Sequence, residues 1–155
     1  MDKDIEELLN FMYDIDDPKN AKKEHKDFLK YLKKRRKDVE AEVRLQIPGM
    51  TKHYIESAIM SDDTNRIMTA ALMLEYGAIF KQNLRKALDL YKVAASRDDD
   101  IANYYCAIFY SKGVGDSRDL YKFLLYLKKA MDLGNKDAKE QWDELWFAYR
   151  KYHNQ

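Results

Sequence analysis

Cysteine is almost absent: Cys106 stands alone, so no disulfide can form within the chain. Only two prolines and five glycines occur in 155 residues, which leaves room for long helices. No apolar run approaches the ~20 residues of a transmembrane helix. Net charge is nearly absent as well, at +1, so the chain as a whole exerts no pull on nucleic acid or an acidic membrane. The start, Met1-Asp2-Lys3-Asp4, lacks the basic stretch and cleavage site of a secretory signal. These absences lead to the expectation of a cytoplasmic protein. What remains is 46% apolar and 35% charged, a globular balance on a chain long enough to bury one core.

Helical periodicity runs through nearly all of it. Ile5, Leu8, Leu9 and Met12 give residues 2–13 one apolar face amid seven acids and one lysine up to Asp17. Asp17-Pro18 is a helix start, with Asp as cap and Pro in the first turn. A long helix to about Arg44 follows, its apolar rhythm kept by Ala21, His25, Phe28, Leu29, Leu32, Val39 and Val43, with Arg36 in the one missing slot. Its other face is basic: ten Lys/Arg against Glu24 and Asp27 between Lys19 and Lys37. Such a stripe reads either as a solvated face whose stems cover apolar surface or as a footprint for a polyanion or an acidic protein. No aromatic interleaving or groove-reading motif accompanies the charge, so nucleic acid is the weaker choice. Gln46-Ile47-Pro48-Gly49 ends the helix, and Thr51 caps a short one to about Met60.

From Arg66 to Ala138 the chain repeats itself at an offset of 36 residues. Gly77 falls on Gly113, Asn83 on Asp119, Tyr91 on Leu127, Ala94-Ala95 on Ala130-Met131, and Ala102 on Ala138. The expected helices are 64–76, 84–97, 101–112, 118–133 and 136–152. They are separated at Gly77, Asp98–Asp100, Lys112–Asp116 and Gly134-Asn135. Alanines at matching positions let paired helices approach closely. The register extends back to Ala58-Ile59 and forward to Trp142 and Trp146, which take the places of Cys106 and Tyr110.

These residues resemble the Sel-one-like repeat family, relatives of the tetratricopeptide repeat. The second copy carries the family's marks at Ala102, Cys106-Ala107, Tyr110, Gly113-x-Gly115, Asp119 and Gly134, and departs at Phe123, Leu127 and Met131. The first carries Gly77, Ala87, Tyr91, Ala94-Ala95 and Ala102, and departs at Arg66, Leu74, Asn83 and Asp98. The resemblance is specific over 66–138, degenerate over 30–65 and absent over 1–29. It implies an all-α fold: a right-handed superhelix of antiparallel helix pairs in a single domain. Residues 1–29 would form an N-terminal helical extension and 138–155 a capping helix. It also implies a concave side, lined by the first helix of each pair, where partners bind.

No constellation in the sequence carries chemistry. His25, His53 and His153 are scattered without metal-ligand spacing. Cys106 falls at a core-facing position and reads as a small hydrophobe. Gly113-Val114-Gly115 lacks the strand and the Lys-Ser/Thr of a phosphate loop, and Asp98–Asp100 lacks the alternation of a calcium loop. Trp142 and Trp146 read first as packing of the last helix, second as a partner-facing patch. The expectation is therefore a non-enzymatic protein-binding module with no catalytic residue, metal or cofactor. Met68, Leu72, Glu75, Tyr104, Ile108 and Ser111, with Asn103 beside them, are expected to face a partner from the concave side. Lys33, Lys34 and Arg36 would do so from the basic helix. The family's uses lead to an immunity protein that neutralises a bacterial toxin domain as the sharpest expectation. A general adaptor or scaffold comes next, and nucleic-acid binding through 19–37 last.

Overall fold

The computed structural model describes residues 1–46 and 52–154. Over these it is all-α, with α1 (Lys3–Ile15), α2 (Pro18–Gln46), α3 (Lys52–Ile59), α4 (Thr64–Tyr76), α5 (Leu84–Ser96), α6 (Asp100–Lys112), α7 (Leu120–Asp132) and α8 (Lys136–His153). The Ile47-Pro48-Gly49 break and the Thr51 cap lie outside the described residues. No helix among the described residues is long and apolar enough to cross a membrane.

Side-chain caps set where the helices begin. Asp17 accepts from the Lys19 amide just ahead of Pro18, Asp63 from Asn65 and Arg66, Asp99 from Ala102, and Asn135 from Ala138. Each satisfies amides that a helix N-terminus leaves without partners. The 36-residue offset is carried by the backbone itself. α4 and α6 are each 13 residues long, as are α5 and α7. Asn83 and Asp119 cap α5 and α7 through the amides of Lys86 and Lys122. Gly77 and Gly113 end α4 and α6 at φ 67° and 66°. The next two left-handed slots hold glycine in the second copy only: Gly115 (φ 75°) matches Ile79 (φ 69°), and Gly134 (φ 95°) matches Asp98 (φ 61°). Asp tolerates that region; a β-branched isoleucine does not, and carries about 1–2 kcal/mol of strain there.

From α4 onward each helix packs on the next. Ala70, Ala71, Ala87, Ala94, Ala102, Ala107, Ala130 and Ala138 are fully buried, so backbones meet closely, and Tyr91, Tyr110, Leu124 and Leu127 fill the space between. Ala94→Leu should therefore force the helices apart and lower stability by about 1–3 kcal/mol, read as a fall in the urea midpoint with an unchanged slope. Asn103, expected at the concave surface, is instead fully buried. Its Nδ2 donates to the carbonyls of Ala95 and Asp99, tying α6 to the end of α5. Trp142 is buried and meets Trp146 edge-on at 6.5 Å, so the tryptophans pack the last helix. Cys106 is buried too, and burial pushes its thiol up to about 12, which makes it a poor nucleophile.

The N-terminal helices fold back over this frame. α1 packs on α7 and α8, with Phe11 against Tyr149 at 5.6 Å, Asp2 paired with Lys128, and Asp16 held by Arg118 through bonds of 2.8 and 3.2 Å. α2 packs against α4 and α6, and α3 against α4.

Candidate functional site

The course of α2 decides what the expected concave residues can do. His25 Nδ1 donates to the Lys112 carbonyl (2.9 Å) and Phe28 meets Phe109 edge-on at 6.3 Å. Leu32, Val39 and Val43 are buried. Arg36 does not fill the inward slot; it is exposed, and Arg35, one residue nearer Leu32, is the half-buried one. The first helices of both pairs thus meet α2 over part of their length, while Asn65, Arg66 and Ile101 in their first turns stay exposed.

Between α2, α4 and α6 lies a cavity of about 150 Å³. Five aromatic residues line it: Phe28 and Tyr31 from α2, Tyr76 from α4, Tyr105 and Phe109 from α6. Leu72 and Ile108 complete its apolar wall, and Glu75 is its acid. Tyr31 is half exposed and stands at the rim. Three of the seven expected concave residues, Leu72, Glu75 and Ile108, therefore converge, but beneath α2. Tyr104 turns toward α8, its hydroxyl accepting from Gln141 Nε2 at 2.8 Å. Ser111 donates to the Ile108 carbonyl of its own helix, and Met68 is half-buried against the core.

Glu75 is the largest departure from the sequence-based expectation. It is only 6% exposed, and Tyr91 Oη donates to its Oε1 at 2.6 Å. Burial disfavours the charged carboxylate and pushes Glu75 up to about 7, against the opposing pull of the Tyr91 bond. The Tyr91 hydroxyl is raised in turn by its own burial and by the neighbouring carboxylate. Burial raises Tyr105 and Tyr76 as well, each with Glu75 contributing. The site therefore holds one acid able to exchange a proton near neutral pH, ringed by phenols that stay neutral.

A wider cavity of about 660 Å³ adjoins it across Tyr76. Lys33 and Arg36 of α2 face Phe80, Lys81 and Gln82 there, and Gln82 Nε2 donates to the Glu75 carbonyl at 2.8 Å. Lys34 is exposed and lines neither cavity. Lys33 and Arg36 thus share a place, at the basic mouth beside the aromatic cavity. The sequence reading missed Tyr31, Tyr76 and Tyr105 as cavity walls. The available signals were Tyr31, an aromatic one helical turn after Phe28 and outside the apolar rhythm of α2, and Glu75, an acid between Leu74 and Tyr76 in an apolar run. No group of three His, Cys, Asp or Glu is placed to hold a metal among the described residues. No protein-family model matches the chain, and neither does any curated protein or solved structure.

Proposed function

We propose that this chain is a non-enzymatic helical module whose basic helix α2 binds an acidic protein partner. The observation that carries the reading is the outward face of α2. Lys19, Lys22, Lys23, Lys26, Lys30, Lys33, Lys34, Arg36 and Lys37 are all exposed, and none forms an ion pair among the described residues. Nineteen residues of helix, from Lys19 to Lys37, lay these charges along about 27 Å. Docking of α2 on α4 and α6 presents them on a packed scaffold, so little order is lost on binding.

The repeat register supports a right-handed solenoid of the Sel-one-like type beneath that helix, since a shift of 36 residues maps α4 onto α6, α5 onto α7 and cap onto cap. The sharpest form of the reading makes the partner a toxin domain and this chain the cytoplasmic immunity protein that neutralises it. A general adaptor is the broader form. The same cationic face also allows nucleic acid to be read as the partner, and salt separates the two. A phosphate backbone binder loses affinity steeply and linearly on a log–log salt plot.

Co-purification from the native host with mass measurement should return a one-to-one protein complex. Reversing Lys33, Lys34 and Arg36 together to Glu should then weaken it about 10–100-fold, mainly through slower association, while the helical spectrum is unchanged. Retained affinity in the triple variant would move the interface off α2. Binding to generic duplex with a steep salt slope, and to no protein, would overturn the reading.

A further inference from the structure

The cavity between α2, α4 and α6 has a chemical preference of its own, separate from the outward face of α2. Rings from three helices surround it, and an aromatic face attracts cations, more so where water is excluded. The carboxyl of its one acid, Glu75, has a single hydrogen bond, from Tyr91, and no lysine or arginine near enough to shift it. A carboxylate withdrawn from water without a counter-charge is costly, and a positive guest supplies what is missing. An anionic guest would meet that carboxylate at close range. Size narrows the class further. Pockets for drug-sized ligands run to ~300–1,000 Å³, whereas this one holds about 150 Å³, room for one compact head group. Lys33, Arg36 and Lys81 line the neighbouring cavity beyond Tyr76. Lys33, Arg36 and Lys81 are all exposed to solvent, so salt screens them over ~8 Å.

We propose that this cavity is a binding site for an alkylammonium head group, seated among Tyr31, Tyr76 and Tyr105 with its charge toward Glu75. Tyr91 holds the carboxyl in place from the far side through its 2.6 Å bond, and half-exposed Tyr31 is the gate residue at the rim. The head group is shared by two sources: a free quaternary ammonium compound and a lysine side chain, plain or methylated, on another protein. The site does not depend on the partner proposed for the outer face of α2, and the two are tested by different variants.

The test is a proton NMR titration of the full chain at about pH 8, where Glu75 is mostly ionised. The probes are tetramethylammonium, choline, acetyl-lysine amide and its trimethylated form. A further probe is the neutral tert-butyl analogue of choline, in which carbon replaces the nitrogen. Ring currents should move the N-methyl signals, or the ε-methylene signal of the unmethylated lysine probe, upfield in a saturable way, and the neutral analogue should bind at least about tenfold more weakly. Glu75→Gln keeps an acceptor for Tyr91 but removes the charge, and should cost about tenfold in affinity. Tyr31→Ala removes a half-exposed ring that stacks on Phe28 at 6.3 Å, and should cost a similar factor with the helical spectrum unchanged. Preference for the small ammonium salts assigns a free ligand, and preference for the lysine derivatives assigns a partner's side chain. No saturable shift with any ammonium probe would overturn the proposal. So would equal binding of the neutral analogue, or full affinity in both variants. Each would leave a solvent-filled cavity in its place.

Discussion

Gly115→Ala should destabilise the protein by about 2–5 kcal/mol, the sum of left-handed strain and overpacking. Gly115 sits at φ 75°, and a Cβ built there would lie 2.7 Å from the Leu84 carbonyl oxygen, 3.1 Å from Leu88 Cβ and 3.2 Å from a Phe109 ring carbon. The nearest of these is backbone at the first residue of α5, which cannot move without shifting that helix. The matched control is Ile79→Gly, at the same place one repeat earlier. Ile79 already occupies the left-handed region at φ 69° and lies beside Leu29, Lys33 and Arg36 of α2. Glycine there relieves about 1–2 kcal/mol of strain. It also gives up a half-buried side chain and loosens the unfolded chain, together of similar size, so the net change should be within about 1 kcal/mol. Urea unfolding of the two variants checks both numbers. Equal losses at both positions would show that loop packing, and not the backbone region, limits the second copy.

The features legible in the sequence are those made by neighbours along the chain. Asp17, Asp63, Asp99 and Asn135 cap helices through amides two or three residues away, and Gly77 and Gly113 close α4 and α6 through their own backbone freedom. The repeat made these local signals visible twice. Ile79 escaped notice because nothing in an isoleucine announces a left-handed turn; only its offset from Gly115 does. The placement of the candidate site was not legible, because it depends on contacts far apart in sequence. His25 reaches Lys112 and Phe28 reaches Phe109, about eighty positions on, and these contacts lay α2 over α4 and α6. Leu72 and Ile108 were placed on the right helices, but what covers them could not be read from their own surroundings. The α2 rhythm allowed either Arg35 or Arg36 to point inward, since each stands three or four residues from Leu32 and from Val39. Packing chose Arg35.

Glu75→Gln should make the protein more stable than the parent chain at alkaline pH, by about 3 kcal/mol above about pH 8.5, and by less than about 1 kcal/mol near about pH 5. Glu75 has a folded-state value of about 7 against 4.5 for an unperturbed glutamate. A raised acid binds its proton more tightly in the folded state. Its contribution is therefore complete below about pH 4.5 and is lost as pH climbs through about 7, because the unfolded chain then ionises more easily than the folded one. Glutamine cannot ionise, yet its side-chain oxygen still accepts the Tyr91 hydroxyl, so the variant removes the pH dependence and keeps the bond between α4 and α5. The groups around Glu75 do not blur the comparison. Tyr91 from α5, Tyr76 from α4 and Tyr105 from α6 are all pushed upward and stay neutral across this range. The carboxylates held low by hydrogen bonds and cations, Asp2, Asp16 and Asp116, lose their contribution only on acidification, outside the window. The measurement is the difference between parent and variant in urea unfolding free energy across that range, so that every other titrating group cancels. Two parallel curves would mean that the Glu75 carboxyl reaches water in the folded state. A gap that opens with pH, and closes when an ammonium ligand is added to the parent chain, would tie the buried acid and the aromatic cavity to one site: the guest would supply the counter-charge whose absence makes Glu75 hold its proton.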